Sequence, residues 1–239
     1  PIFLDEEGGH VNRLSSFLDN QNFSHKFFGD IFSIKKEISI NLYKQYIIEN
    51  AKILNKLGVN INTVPVLDIS NKNTSKVLKN RVYSSNKNTI KTLGSLCVKL
   101  YKKNKIFTVM KHIPGHGSAS SDSHKVLPVV YKSYKDLINN DFNCFKGIQP
   151  LFAMTAHIVY KKIDPKNLGT HSQVIIGKII RKKIGFKGIL ISDDISMKAL
   201  KDDLVKNALK SIKAGCNLVL YCSGKYAESS RLLRHMPYI

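Results

Sequence analysis

Short apolar runs rich in β-branched and aromatic residues alternate along the chain with longer stretches whose apolar positions recur every three or four residues. A two-residue period that gives way repeatedly to a helical one marks βα units around a parallel sheet. Six strands are predicted, over Ile2–Leu4, Ile61–Leu67, Ile106–Met110, Leu151–Thr155, Gly188–Ile191 and Asn217–Tyr221. The segments from about Ser33 to Leu57, Thr89 to Lys103, Ser133 to Gly147, Ser172 to Ile184 and Lys198 to Ala214 read as helices. Gly58, Gly147, Gly185 and Gly215 fall where helices should close in the left-handed conformation. No Pro-, Ser- or Gly-rich linker and no low-complexity tract divides the chain, so residues 1–239 read as a single domain.

The polar positions at the strand ends carry the functional signal. Asp5, Asp68, Lys111 with His112, His157, and Asp193 with Asp194 each follow the last apolar residue of a predicted strand. In a parallel α/β fold those positions share one face, where catalytic groups collect in barrels and open sheets alike. No GxGxxG or GxxxxGK[ST] phosphate loop follows any strand, which argues against a doubly wound nucleotide-binding sheet. Reactive groups at nearly every strand end favour an α/β (β/α)8 TIM-type barrel. A barrel of that kind closes with eight strands, so about two amino-terminal βα units are expected to be missing from this chain. The chain opens without Met on Pro1-Ile2-Phe3-Leu4, and its first strand is expected to present an unpaired edge that leaves the isolated chain unstable.

Composition narrows the partners. Lys and Arg number 38 against 17 Asp and Glu, a formal net charge of +21, which raises a polyanion partner. Only five of the basic residues are Arg, however, and the Lys are scattered in ones and twos along helix-like segments. They read as solvated helix faces, and no nucleic-acid partner is expected. Cys97, Cys144, Cys216 and Cys222 lie in apolar segments without CxxC spacing, which argues against a disulfide framework and for a reducing, cytoplasmic setting. No apolar run reaches the roughly 18 residues of a membrane span.

The densest chemistry lies in Lys111-His112-Ile113-Pro114-Gly115-His116-Gly117, followed by Asp122-Ser123-His124. His112 and His116 are four apart, a metal-binding spacing on a helix, but Pro114, Gly115 and Gly117 make a helix there implausible, and no metal or cofactor is expected. An Asp two residues from a His in an extended segment can fix its tautomer and raise its pKa, giving a proton donor and acceptor useful near neutral pH. The second cluster ends a buried strand on Asp193-Asp194. Successive strand side chains alternate, so one carboxylate should face the pocket while the other caps the following helix.

Taken together, these pieces resemble the glycoside hydrolase family 3 β-N-acetylglucosaminidases. They stand in order along nearly the whole chain: DEEGG at 5–9 with Arg13, PVLDI at 65–69, NRVYSSN at 80–86, KHIPGHG at 111–117, DSH at 122–124, AH at 156–157 and FKGILISDDISM at 186–197. The chain departs from the pattern at Glu6, His10, Val82-Tyr83 and Ile113. The resemblance implies an eight-stranded β/α barrel and a retaining exo-acting enzyme that releases N-acetylglucosamine from peptidoglycan-derived muropeptides. It implies that Asp193 is the nucleophile, His124 the acid/base and Asp122 its partner, while Asp5, Arg13, Arg81, Lys111 and His112 hold the terminal sugar.

Overall fold

The computed structural model describes residues 1–72, 74–119 and 127–237. Six strands form one sheet: β1 (Phe3–Leu4), β2 (Ile61–Asn62), β3 (Phe107–Ile113), β5 (Phe152–Thr155), β7 (Ile189–Asp194) and β8 (Leu218–Leu220). All six predicted strands are present. Every neighbouring pair is parallel, and the order β1-β2-β3-β5-β7-β8 follows the chain. A doubly wound sheet reverses its strand order at a switch point, whereas a sheet that adds each strand on the same side curls into a barrel. This sheet is therefore six consecutive strands of a TIM-type barrel, with β1 and β8 as its two edges. A second, small parallel pair joins β4 (Val129–Val130) to β6 (Val159–Tyr160) beyond the strand ends.

Several boundaries differ from the sequence reading for local reasons. β3 runs on through Lys111 and His112 to Ile113, because Lys111 keeps pairing with the extended segment after β2: its N–H donates to Pro65 at 3.0 Å and its carbonyl accepts from Leu67 at 2.8 Å. The first predicted helix, Ser33–Leu57, is α2 (Lys36–Lys56), and a helix that the sequence did not predict, α1 (His25–Ile34), precedes it. α1 was hidden by Gly29, whose missing Cβ makes room for the chain at Tyr83; a Cβ there would lie 1.7 Å from the Tyr83 carbonyl oxygen. The segment predicted at Ser133–Gly147 is a short helix α5 (Tyr134–Asn139) and a single 3-10 turn (Phe142–Cys144). Asn140 breaks it by turning its side-chain amide onto the Asp136 carbonyl at 3.0 Å. The remaining helices are α3 (Lys76–Lys79), α4 (Lys87–Lys103), a π-type helix (Val174–Ile184), α6 (Leu204–Ala214) and α7 (Tyr226–His235). Gly185 and Gly215 close the π-type helix and α6 at φ of 83° and 117°, a conformation that costs glycine no Cβ clash. No helix among the described residues is long and apolar enough to cross a membrane.

Strand alternation sorts the core into two faces. Met110, Ala153 and Leu190 point outward into the main core beneath the helices, with Ile47, Leu54, Leu93, Phe145 and Ile180. Ile61, Val109, Phe152, Met154 and Ile191 form a smaller cluster on the concave face. The pleat has a period of two, so one step further along the strands this inner face must present Thr63, Lys111 and Asp193, at the carboxyl ends.

Candidate active site

A cavity of about 690 Å³ opens at those carboxyl ends, lined among others by Asp5, Arg13, Arg81, Lys111, His112 and Asp193. All six described residues predicted for the site thus meet in one place, although Asp5 and Asp193 are 188 positions apart in the chain. His124 and Asp122, the predicted acid/base and its partner, lie outside the described residues.

The cavity floor is an ion cluster. Lys111 is 2 % exposed, and its ammonium meets Asp5 Oδ1 at 2.5 Å and Glu7 Oε1 at 2.6 Å. Thr63 Oγ1 accepts from it at 3.0 Å and donates to Asp5. Arg81 grips Glu7 bidentately, Nε to Oε2 and Nη2 to Oε1, both at 2.8 Å. Burial raises the Glu7 carboxyl, but the Lys111 and Arg81 cations outweigh it and hold it well below the usual carboxylate range. Burial likewise lowers Lys111, and Asp5 and Glu7 overcome it, so the ammonium stays charged. Arg13 reaches over Asp5 at 3.6 Å from the more exposed side. Glu7 is the member that sequence reasoning missed. Its position in DEEGG was visible, but nothing in the sequence said that Arg81 would fold back onto it.

His112 is oriented from behind by Asp68, which is fully buried. The ring Nδ1 lies 2.7 Å from Asp68 Oδ2, and the His116 backbone N–H donates to Oδ1 at 2.6 Å. Burial raises the Asp68 carboxyl, and His112 leads the interactions that bring it below its ordinary value, so it is an ionised acceptor. Nδ1 must then donate, which leaves Nε2 as the ring's remaining polar atom.

Both of the paired carboxylates line the cavity, and Asp194 caps a turn where the sequence predicted a helix cap. Its carboxylate accepts from the Ser196 backbone at 3.0 Å, the Ser196 hydroxyl at 2.7 Å and the Cys222 backbone at 3.2 Å. The following helix α6 starts later, on Asp203. Asp193 faces the cavity and takes the Asp194 N–H on Oδ1 at 2.8 Å, while Oδ2 accepts no hydrogen bond among the described residues. Burial raises its pKa; His157, His112, the Asp194 N–H and Lys111 together bring it below the ordinary carboxylate value. The group is an anion at neutral pH, with one oxygen that no described residue engages. Among the described residues, no group of three or more His, Cys, Asp or Glu side chains is placed to hold a metal ion.

Comparison with known proteins identifies the family and the fold. The family model described as "Glycosyl hydrolase family 3 N terminal domain" matches residues 2–236. A β-hexosaminidase of Methylobacillus flagellatus is 30 % identical over 233 residues, covering 93 % of this chain and 64 % of that protein. Among solved structures, NagZ from Neisseria gonorrhoeae, in complex with N-trifluoroacetyl-D-glucosamine, superposes with a TM-score of 0.87 at 28 % identity, over 100 % of this chain and 70 % of its own. A family 3 β-N-acetylglucosaminidase from Paenibacillus sp. superposes with a TM-score of 0.85 at 28 % identity, over 98 % of this chain and 44 % of its own. The chain thus spans a little under two thirds of the Methylobacillus protein. A sheet of consecutive parallel strands, the ordered motifs and a match from residue 2 to residue 236 lead to one conclusion: the chain belongs to glycosyl hydrolase family 3, in its N-terminal domain.

Proposed function

We propose that this chain carries the catalytic site of a retaining exo-β-N-acetylglucosaminidase. The observation that carries the reading is the meeting of Asp193, whose Oδ2 no described residue engages, and the sugar-sized polar wall of Asp5, Arg13, Arg81, Lys111 and His112 in one cavity. A terminal sugar seated there would receive donors from Lys111, Arg81 and Arg13 and an acceptor from Asp5. Retaining glycosidases place a carboxylate on one side of the anomeric carbon and a proton donor on the other. Asp193 Oδ2 attacks that carbon, forming a glycosyl ester, while His124 protonates the departing oxygen; His124 then takes a proton from the water that cleaves the ester. Asp122 steadies the His124 ring. An imidazole suits this double task because its charge changes near neutral pH. N-acetylglucosamine is favoured because solved relatives carry that name and one of them is bound to an N-acylated glucosamine. Muropeptide fragments of peptidoglycan in the cytoplasm are the substrates we propose.

The test uses the full-length protein. An aryl β-N-acetylglucosaminide should be hydrolysed at least tenfold faster than the aryl β-glucoside, and a 2-acetamido fluorosugar inactivator should ester-link to Asp193. Asp193→Asn should abolish turnover of the same substrate. A label on any other residue overturns the assignment.

A further inference from the structure

Behind Asp193 lies a chain of hydrogen bonds that runs through three buried side chains and ends on the backbone of Asp194. His157 follows β5 and is fully buried, as are Thr155 at the end of that strand and Thr170 in the 3-10 turn Gly169–His171. His157 Nε2 lies 3.1 Å from the Asp194 carbonyl, and Nδ1 lies 2.7 Å from Thr170 Oγ1. A carbonyl only accepts, so Nε2 carries a proton. Burial outweighs the neighbouring Asp193 carboxylate and keeps the ring below its ordinary pKa, hence neutral, so Nδ1 is bare and accepts. The Thr170 hydroxyl has one proton to give. Its other acceptor, the Ala156 carbonyl, is 3.3 Å away, so the proton goes to Nδ1. Thr155 Oγ1, 2.8 Å from Thr170 Oγ1, then donates to it. The distances give one consistent direction: Thr155 to Thr170 to His157 to the Asp194 carbonyl.

Asp194 is the residue whose N–H holds Asp193 Oδ1, and its carbonyl also accepts from Met197 N at 3.1 Å. Its backbone is thereby gripped on both sides.

We infer that His157, locked by Thr170 and Thr155 as the Nε2–H tautomer, is a positioning residue: it fixes the Asp194 backbone so that one oxygen of Asp193 is tied down and the other is aimed at the sugar. The role rests on the proposed assignment of Asp193 as nucleophile. His157 touches no substrate. It acts by removing the freedom of the nucleophile to rotate, and misplacement of a reacting group by about 1 Å can cost on the order of a hundredfold in rate.

The test compares Thr170→Val, nearly isosteric and without the hydroxyl, with Thr170→Ser, which keeps it, in the full-length protein. Thr170→Val should lower kcat and the rate of fluorosugar labelling of Asp193 by about tenfold or more, with KM within twofold of wild type, because binding groups are untouched. Thr170→Ser should restore both rates to within threefold. Histidine ring ¹⁵N spectra of the wild type should show His157 protonated at Nε2 and bare at Nδ1. A Thr170→Val enzyme with wild-type kcat, or a His157 ring protonated at Nδ1, overturns the inference; the spectrum decides even if the variant fails to fold. Wild-type protein that is not labelled at Asp193 at all overturns the assigned reaction as well, and is thereby told apart from a failure of the His157 role alone.

Discussion

The lysine at the centre of the cavity keeps its charge only because two carboxylates were brought to it, and one of them, Glu7, is completely buried. Breaking a buried ion pair from one side leaves an unpaired charge out of water, which costs about 3–5 kcal/mol. Glu7→Gln should therefore lower the unfolding free energy by about 3 kcal/mol, measured from urea transitions at pH 7; a change below about 1 kcal/mol would mean that Arg81 and Lys111 find other partners. Thr63→Val removes the hydroxyl that Lys111 and Asp5 share, and should raise KM several-fold with a smaller effect on kcat, since it loosens groups that hold the sugar and leaves Asp193 alone. Lys111, Asp5 and Arg81 could be read from the sequence as polar residues in ordered motifs. Thr63 and Asp68 could not be given roles, because a Thr inside the predicted strand Ile61–Leu67 and an Asp in PVLDI look alike whether they serve packing and turns or support an active site.

For the elements, sequence legibility followed the length and the apolarity of each segment. All six sheet strands were legible as short β-branched runs, and α4 and α6 as amphipathic stretches closed by polar or glycine caps. α1 was not, because its sequence carries Gly29 and adjacent Phe residues that weaken helix propensity. What stabilises α1 is tertiary: Phe28 is fully buried against Tyr43, and Gly29 lets the helix lie on the Tyr83 backbone. Gly29→Ala should thus destabilise the protein by about 2 kcal/mol or more, although alanine in an open helix would stabilise it. Ser24 caps α1 by accepting from the Phe27 N–H at 3.2 Å, and Ser24→Ala should cost about 1 kcal/mol. Thermal unfolding of the two variants separates packing from capping: equal effects would contradict the close approach at Gly29.

At the scale of the whole molecule, burial makes stability depend on pH in a defined direction. His25 and His116 are buried, and burial pushes both down to about 4 from 6.5. A group lowered on folding is protonated first in the unfolded chain, so stability falls as pH drops from about 6.5 toward 4. Glu7, Asp68 and Asp193 are also lowered; their contribution is complete above their ordinary values of 4.5 and 3.8 and is lost only as pH falls below them. Glu6 and Asp141, which burial raises, gain stability on acidification and offset part of that loss. The urea midpoint should therefore decline in two stages, first below pH 6.5 through the histidines and then below about 4.5 through the carboxylates. A midpoint that stays level from pH 7 to 4 would contradict the burial of His25 and His116. The charge of +21 has no counterpart in the cavity chemistry, and the basic side chains at its floor are neutralised by acidic ones.

By itself the sequence determined the class of fold and the family, because period, strand-end polarity and ordered motifs are local properties that survive without coordinates. It also determined which polar residues stand at the carboxyl ends of strands. Only the tertiary structure decided the partnerships: Glu7 between Lys111 and Arg81, Asp68 behind His112, and His157 on the backbone beside Asp193. The physical reason is that a buried charge or proton takes its state from whatever lies within about 3–4 Å, and such neighbours come from strands far apart in the chain.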